Sequence, residues 1–81
     1  MVSEKLRAAY VQWLDSMGTA GWTEFEAADM RCESVGFVVH EDDDSLSLSA
    51  SYSHGATSRK WNDIIQIPKR AITRRRAVKL P

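Results

Sequence analysis

The chain has 81 residues with a formal net charge of zero at pH 7; 43% of its residues are hydrophobic and 27% are charged. This length predicts a single domain over 1–81, with a core near the lower limit for independent stability. No apolar run approaches the roughly 20 residues of a membrane helix, and no secretory signal pattern is present, so we expect a cytoplasmic protein without membrane association. The single cysteine, Cys32, excludes an internal disulfide and fits a reducing compartment.

The N-terminal segment fits two structures. Apolar side chains recur at helical spacing over 6–17, with Ser3 as an N-cap and Gly18 as a stop. The run 10–14 is instead rich in residues that fit strands. Residue spacing alone favours the helix.

A loop and one short helix are predicted next. Two glycines and an Asp-Ser pair predict a loop over 15–21, and Trp22 follows it. Thr23 and Glu26 then match a capping box, in which the threonine hydroxyl accepts a hydrogen bond from the Glu26 amide. We therefore expect a helix over 24–30.

The clearest pattern is a pair of alternating runs, 32–40 and 45–53, separated by the acidic stretch 41–44. Such alternation predicts an antiparallel hairpin with one face in the core. The predicted apolar face comprises Val35, Phe37, Val39, Leu46, Leu48, Ala50 and Tyr52. The opposite face of the second run is a serine stripe that we expect in water, formed by Ser45, Ser47, Ser49, Ser51 and Ser53.

Two further strands are predicted after the hairpin. The polar run 53–62 predicts a loop, and 63–67 a strand that Pro68 ends because proline lacks a ladder donor. The run 69–71 has the length of one 3₁₀ turn, and 72–80 predicts a last strand. If the N-terminal segment is also a strand, this connectivity predicts a mainly β fold with one short helix: a small, five-stranded SH3-like or Sm-like barrel.

Short motifs cover most of the chain: Val11-x-Trp13-x-Asp15-Ser16, Gly21-Trp22, Ser34-Val35-Gly36-Phe37 followed by Glu41-Asp42-Asp43, and Ile67-Pro68-Lys69-x-x-Ile72. As a set, these motifs resemble those of small uncharacterised proteins of tailed phages and prophages. The resemblance implies a phage origin, action inside a bacterial host, and a β-rich fold with a first strand from about Arg7 to Asp15. It implies no activity and no catalytic residues.

Charge is distributed unevenly along the chain. Residues 1–58 hold ten acidic and three basic side chains, whereas 59–81 hold one acidic and eight basic. This cationic segment predicts an anionic partner, either nucleic acid or a nucleotide, with a tryptophan as a stacking surface. The predicted binding residues are Arg59, Lys60, Trp61, Lys69, Arg70, Arg74, Arg75 and Arg76. Alternatively, the arginines protect an edge strand from pairing and offset the acidic turn.

No catalytic site, metal site or cofactor is predicted. The acidic stretch 41–44 lacks the glycine of an EF-hand-like loop, which favours a solvated turn. Cys32 and His40 lie roughly 26 Å apart along one extended strand, too far for a nucleophile and its base. Trp13 and Trp22 are expected in the core or an interface.

The functional hypothesis is therefore a non-catalytic phage accessory protein that binds an anionic partner through its basic C-terminal strand. Two alternatives remain open. One is a host-directed inhibitor that sequesters a nucleotide signal or blocks a host defence protein. The other is a self-assembling structural protein. A homo-oligomer is expected because self-association would stabilise so small a core.

Overall fold

The computed structural model describes residues 5–15, 30–55 and 59–81. Its elements are the strands β1 (Ala8–Asp15), β2 (Met30–Glu41), β3 (Ser45–His54), β4 (Arg59–Pro68) and β5 (Ile72–Val78), with a 3₁₀ turn at Lys69–Ala71 between the last two. The mainly β fold is confirmed, and so is the position of the 3₁₀ turn. The predicted helix over 24–30 falls outside the described residues except for Met30, which begins β2. Trp22 and most of the predicted loop over 15–21 lie outside them too.

The five strands form one antiparallel sheet in the order β4-β3-β2-β1-β5. The last strand returns to pair with the first, and the 3₁₀ turn connects the two outer strands. This is the strand order of the predicted SH3-like barrel. The N-terminal segment is a strand and not a helix, because β1 lies between two partners that satisfy both of its edges, with Tyr10 opposite Val35 on one side and Arg76 on the other.

The core lies on one face of the curled sheet. Its buried side chains come from four strands: Ala9, Val11, Trp13, Val38, Leu46, Leu48 and Ile67. Trp13 is 9% exposed, and its indole N–H donates to the Ser34 hydroxyl at 3.0 Å. The core position predicted for Trp13 is confirmed, and its one polar atom has a partner, as a buried indole requires.

The predicted apolar face of β2 is wrong. Val35 is 65% exposed, whereas Val38 is buried and lies opposite Leu48. The pairing register shifts between Val38 and His40, so Val39 occupies a bulge and Glu41 lies opposite Leu46. One inserted residue exchanges the two faces of a strand, and simple alternation cannot locate such an insertion.

For three of its five members, the predicted serine stripe is also wrong. Ser45, Ser47 and Ser49 are 7%, 9% and 1% exposed, whereas Ser51 and Ser53 are exposed as predicted. β3 has a partner strand on each side, and the larger flanking side chains cover its small ones. Ser49, for example, lies between Phe37 and Ile64.

The predicted loop over 53–62 is mostly strand. The β3–β4 ladder continues through the pairs Tyr52–Trp61, Ser53–Lys60 and His54–Arg59. The polar side chains of Ser53, His54, Lys60 and Asn62 are exposed to solvent. Exposed side chains do not prevent the backbone from pairing, and this is why the polar run did not become a loop. β3 ends at His54 and β4 begins at Arg59.

Candidate anion-binding site

The Glu41 carboxylate contacts three basic side chains at one end of the barrel. Arg75 of β5 donates to both of its carboxylate oxygens, at 2.7 and 2.9 Å. The Lys69 ammonium lies 2.9 Å from the carboxylate and the Arg7 guanidinium 3.8 Å from it. One carboxylate among three cations leaves this cluster with a net charge of +2.

The hydrogen bond from Arg75, followed by that from Lys69, lowers the pKa of Glu41 from 4.5 to about 2. The same contact raises the pKa of Arg75. Both pKa changes favour the charged forms, so Glu41 and Arg75 remain an ion pair throughout the physiological pH range.

A groove of about 750 Å³ lies beside this cluster, where the N-terminal residues before β1 meet the C-terminal residues after β5. The two segments lie together because β1 and β5 are antiparallel, and the Arg7 carbonyl accepts a backbone hydrogen bond from Val38 at 2.8 Å. The apolar and aromatic lining is Leu6, Ala8, Ala9, Phe37, Val38, Tyr52, Ala77, Val78, Leu80 and Pro81, and the basic lining is Lys5, Arg7, Arg75 and Lys79. Within the described ranges, no Asp or Glu lines this cationic groove.

The three arginines of β5 point to two faces. Arg75 lies opposite the buried Val11, while Arg74 and Arg76 lie opposite Gln12 and Tyr10 on the other face. On that outward face Tyr10 donates to Glu33 at 2.7 Å, and Gln12 donates to the Tyr10 hydroxyl at 2.8 Å. Arg74 and Arg76 are exposed beside this polar network.

The other predicted binding residues lie elsewhere. Lys69 and Arg75 belong to the Glu41 cluster. Arg70 lines a depression that it shares with Asp42, Asp43 and Asp44, which makes that surface electrically mixed. Arg59, Lys60 and Trp61 form the start of β4, at the far end of that strand from the 3₁₀ turn. The eight predicted residues therefore do not form one patch.

Three aromatic rings connect the start of β4 to the cationic groove. The ring centroids of Tyr52 and Trp61 are 5.8 Å apart, and those of Phe37 and Tyr52 are 5.1 Å apart in an edge-to-face arrangement. Phe37 and Tyr52 also line the groove. The row formed by Phe37, Tyr52 and Trp61, here called the aromatic row, is thus continuous with the groove, and His54 extends it at 5.0 Å from Tyr52.

Sequence reasoning missed Lys5 and Arg7 as site residues. They lie on the short segment before β1, whereas Lys79 belongs to the basic C-terminal segment and follows β5. A signal was present in the predicted topology, because pairing the first strand with the last brings these two segments to one end of the sheet.

The described ranges hold no group of three or more His, Cys, Asp or Glu side chains arranged to bind a metal ion. Nor, in those same ranges, does any helix have the length and apolar character needed to cross a membrane. The two charged features on which a site can be built are therefore the cationic groove and the outward arginines of β5.

Comparison with protein-family models, with curated proteins and with solved structures found no match to this chain. The phage resemblance therefore stays a prediction from sequence motifs. Any functional proposal depends on the geometry of the chain itself.

Proposed function

We propose that this protein is a non-catalytic binding module whose cationic groove takes an anionic partner, a nucleic acid or a nucleotide. The observation that carries the proposal is the lining of the groove: Lys5, Arg7, Arg75 and Lys79 around an apolar floor, with Tyr52 and Phe37 within it. The cations can pair with a phosphate group, and a nucleobase can stack on the aromatic rings. Arg74 and Arg76 extend the positive surface along β5.

The excess of positive charge supports this proposal over a purely structural role for the basic residues. The single negative charge of Glu41 can offset the positive charge of one of its three cationic neighbours. Lys5 and Lys79 are exposed and belong to no ion pair with Glu41. An anionic partner at the groove would therefore complete the charge balance at this end of the barrel.

The wider proposal, an accessory protein of a tailed phage that acts inside a bacterial host, is supported by the sequence motifs. Sequestration of a nucleotide signal is a variant of the same binding chemistry. Stabilisation by mononucleotides without binding of oligonucleotides would favour it. In the self-assembly alternative, the acidic turn of one copy would dock on the basic strand of the next. Glu41 of that turn pairs with Arg75 inside the chain, and the contact would fall to Asp42, Asp43 and Asp44, which are exposed.

The test compares two double variants that remove the same charge. Lys5→Gln with Lys79→Gln removes two cations from the groove, and Arg31→Gln with Arg70→Gln removes two exposed cations outside it. Binding of labelled oligonucleotides is measured by fluorescence anisotropy across a salt series. We expect the groove variant to lower the slope of log K against log salt by roughly 1 to 2, since single strands give about 0.7 per phosphate contact.

The control pair is expected to change this slope little. Equal weakening by both pairs would show general electrostatic attraction and reject the groove as the site. Absence of binding to any nucleic acid or nucleotide at low salt would reject the function.

A further inference from the structure

Phe37 of the aromatic row lies on the outward face of the sheet, where large apolar side chains are exposed to solvent. Around it, Val35 is 65% exposed and Ile64 is 55% exposed. Ile64 lies opposite Ser49, which in turn lies opposite Phe37, so all three share this face. Val35 lies on β2 and Ile64 on β4, with β3 between them. Exposed apolar side chains on one face of a sheet mark an interaction surface.

The backbone of β4 is irregular at Asp63, two residues from Trp61. Asp63 has a φ of 54°, a left-handed conformation in the middle of β4. Next to it, the Ser49 hydroxyl accepts a hydrogen bond from the Asn62 amide at 3.0 Å and lies 2.6 Å from the carbonyl oxygens of Ser51 and Asn62. Beyond this point the Tyr52 ring lies between Phe37 and Trp61, with ring centroids 5.1 and 5.8 Å away.

Cations border the same face. Arg76 lies opposite Tyr10, which lies opposite Val35, so these three form one row across β5, β1 and β2. The next row along the strands carries Arg74. At the other side of the aromatic row, Lys60 lines a shallow depression together with Tyr52 and Trp61.

We propose that the partner is a single-stranded nucleic acid, whose unpaired bases stack on Trp61 and Tyr52 while its phosphates contact Arg76, Lys60 and the cations of the groove. This rests on the proposed function and specifies its ligand. A single strand presents flat apolar bases and negative charges in alternation, which matches rings bordered by cations. A duplex hides the faces of its bases in the helical stack and offers this surface phosphates alone.

The experiment measures fluorescence anisotropy of labelled twelve-nucleotide single strands, both DNA and RNA, and of a twelve-base-pair duplex. We expect single strands to bind at least tenfold more tightly than the duplex. Trp61→Ala is expected to weaken single-strand binding by about 5- to 150-fold, the effect of losing one stacked base, while duplex binding changes little. Trp61→Phe keeps a ring and should keep most of the affinity.

The matched control is Ile65→Ala, which removes an apolar side chain of the same strand that is 37% exposed and lies opposite the buried Leu48. Thermal unfolding of each variant verifies that it folds. As a second readout, quenching of intrinsic fluorescence by a single strand should largely disappear in Trp61→Phe, although Trp13 and Trp22 remain.

The failures of the two proposals are distinguishable. Equal binding of duplex and single strand, with binding by Trp61→Ala unchanged and strong salt dependence retained, would overturn stacking and leave the proposed role of the cationic groove intact. No binding of either nucleic acid or of nucleotides at low salt would overturn both.

Discussion

At Gly36 there is no room for a side chain between β2 and β3. A Cβ atom at this position would lie 2.7 Å from the Ser49 carbonyl oxygen and 3.2 Å from the Leu48 Cβ. The first distance is well inside van der Waals contact and involves backbone, which cannot rotate away. Gly36 therefore permits the close approach of two strands that contribute Val38 and Leu48 to the core.

Gly36→Ala is expected to lower the free energy of unfolding by about 1 to 3 kcal/mol, since overpacking forces a backbone shift. Chemical denaturation monitored by tryptophan fluorescence measures this change. The control is Val35→Ala at the neighbouring exposed position, which should stay within about 0.5 kcal/mol. Similar values for both variants would contradict the steric explanation.

Ser49 shows the limit of residue-level prediction. Its side chain is polar and alternates with leucines, so the sequence predicts a water-facing position. In the structure it is 1% exposed, and its hydroxyl is hydrogen-bonded to the backbone beside the left-handed Asp63. No property of Ser49 itself distinguishes it from the exposed Ser51, because burial here depends on the partners that flank β3.

The turn between β2 and β3 is organised by Asp42. One of its carboxylate oxygens accepts hydrogen bonds from the amides of Asp44 and Ser45, both at 2.8 Å. These bonds, first that from Asp44, lower the pKa of Asp42 from 3.8 to about 2. The turn is further held by the Asp42 amide, which donates to the Ser45 carbonyl at 3.0 Å. The acidic stretch thus forms a turn that these hydrogen bonds hold in place. The predicted position of the hairpin is confirmed.

Asp42→Ala is expected to speed hydrogen exchange at the amides of Asp44 and Ser45 several-fold, because both lose their acceptor. Asp43→Ala, at an exposed position in the same turn, is the control. In the wild-type protein the protection should persist above pH 4 and decline as pH falls toward 2, since a carboxyl with a lowered pKa loses its contribution only when it is protonated. Unchanged exchange in Asp42→Ala would contradict this role.

At the scale of the whole molecule, Glu41 connects strands that are not neighbours in the sheet. It lies on β2 and pairs with Arg75 on β5, although β1 separates these strands in the sheet order. Its contact with Lys69 ties the 3₁₀ turn to the same point, as does the backbone hydrogen bond from Lys69 to Asp44 at 2.9 Å. These contacts hold the sheet curled at this end of the barrel.

Glu41→Gln is expected to lower the free energy of unfolding at pH 7 by about 1 kcal/mol or slightly more, because the pair is bidentate and part of a network. The pKa of Glu41 is lowered, so its contribution is full above pH 4.5 and is lost as pH falls toward 2. Urea unfolding at several pH values should therefore show the variant and the wild type converging near pH 2. Glu33→Gln is the control. A difference that stays constant between pH 7 and pH 2 would contradict the linkage.

The sequence by itself determined the hairpin, the strand ended by Pro68, the 3₁₀ turn and the basic C-terminal strand, because local alternation, turn chemistry and proline geometry act over a few residues. Only the tertiary structure decided the bulge at Val39, the burial of Ser49 and the division of the basic residues among Glu41, the acidic turn and the outward face. It also decided that Lys5 and Lys79 meet across a groove. These features depend on which strands become neighbours, and that is set by long-range pairing, which no short stretch of sequence encodes.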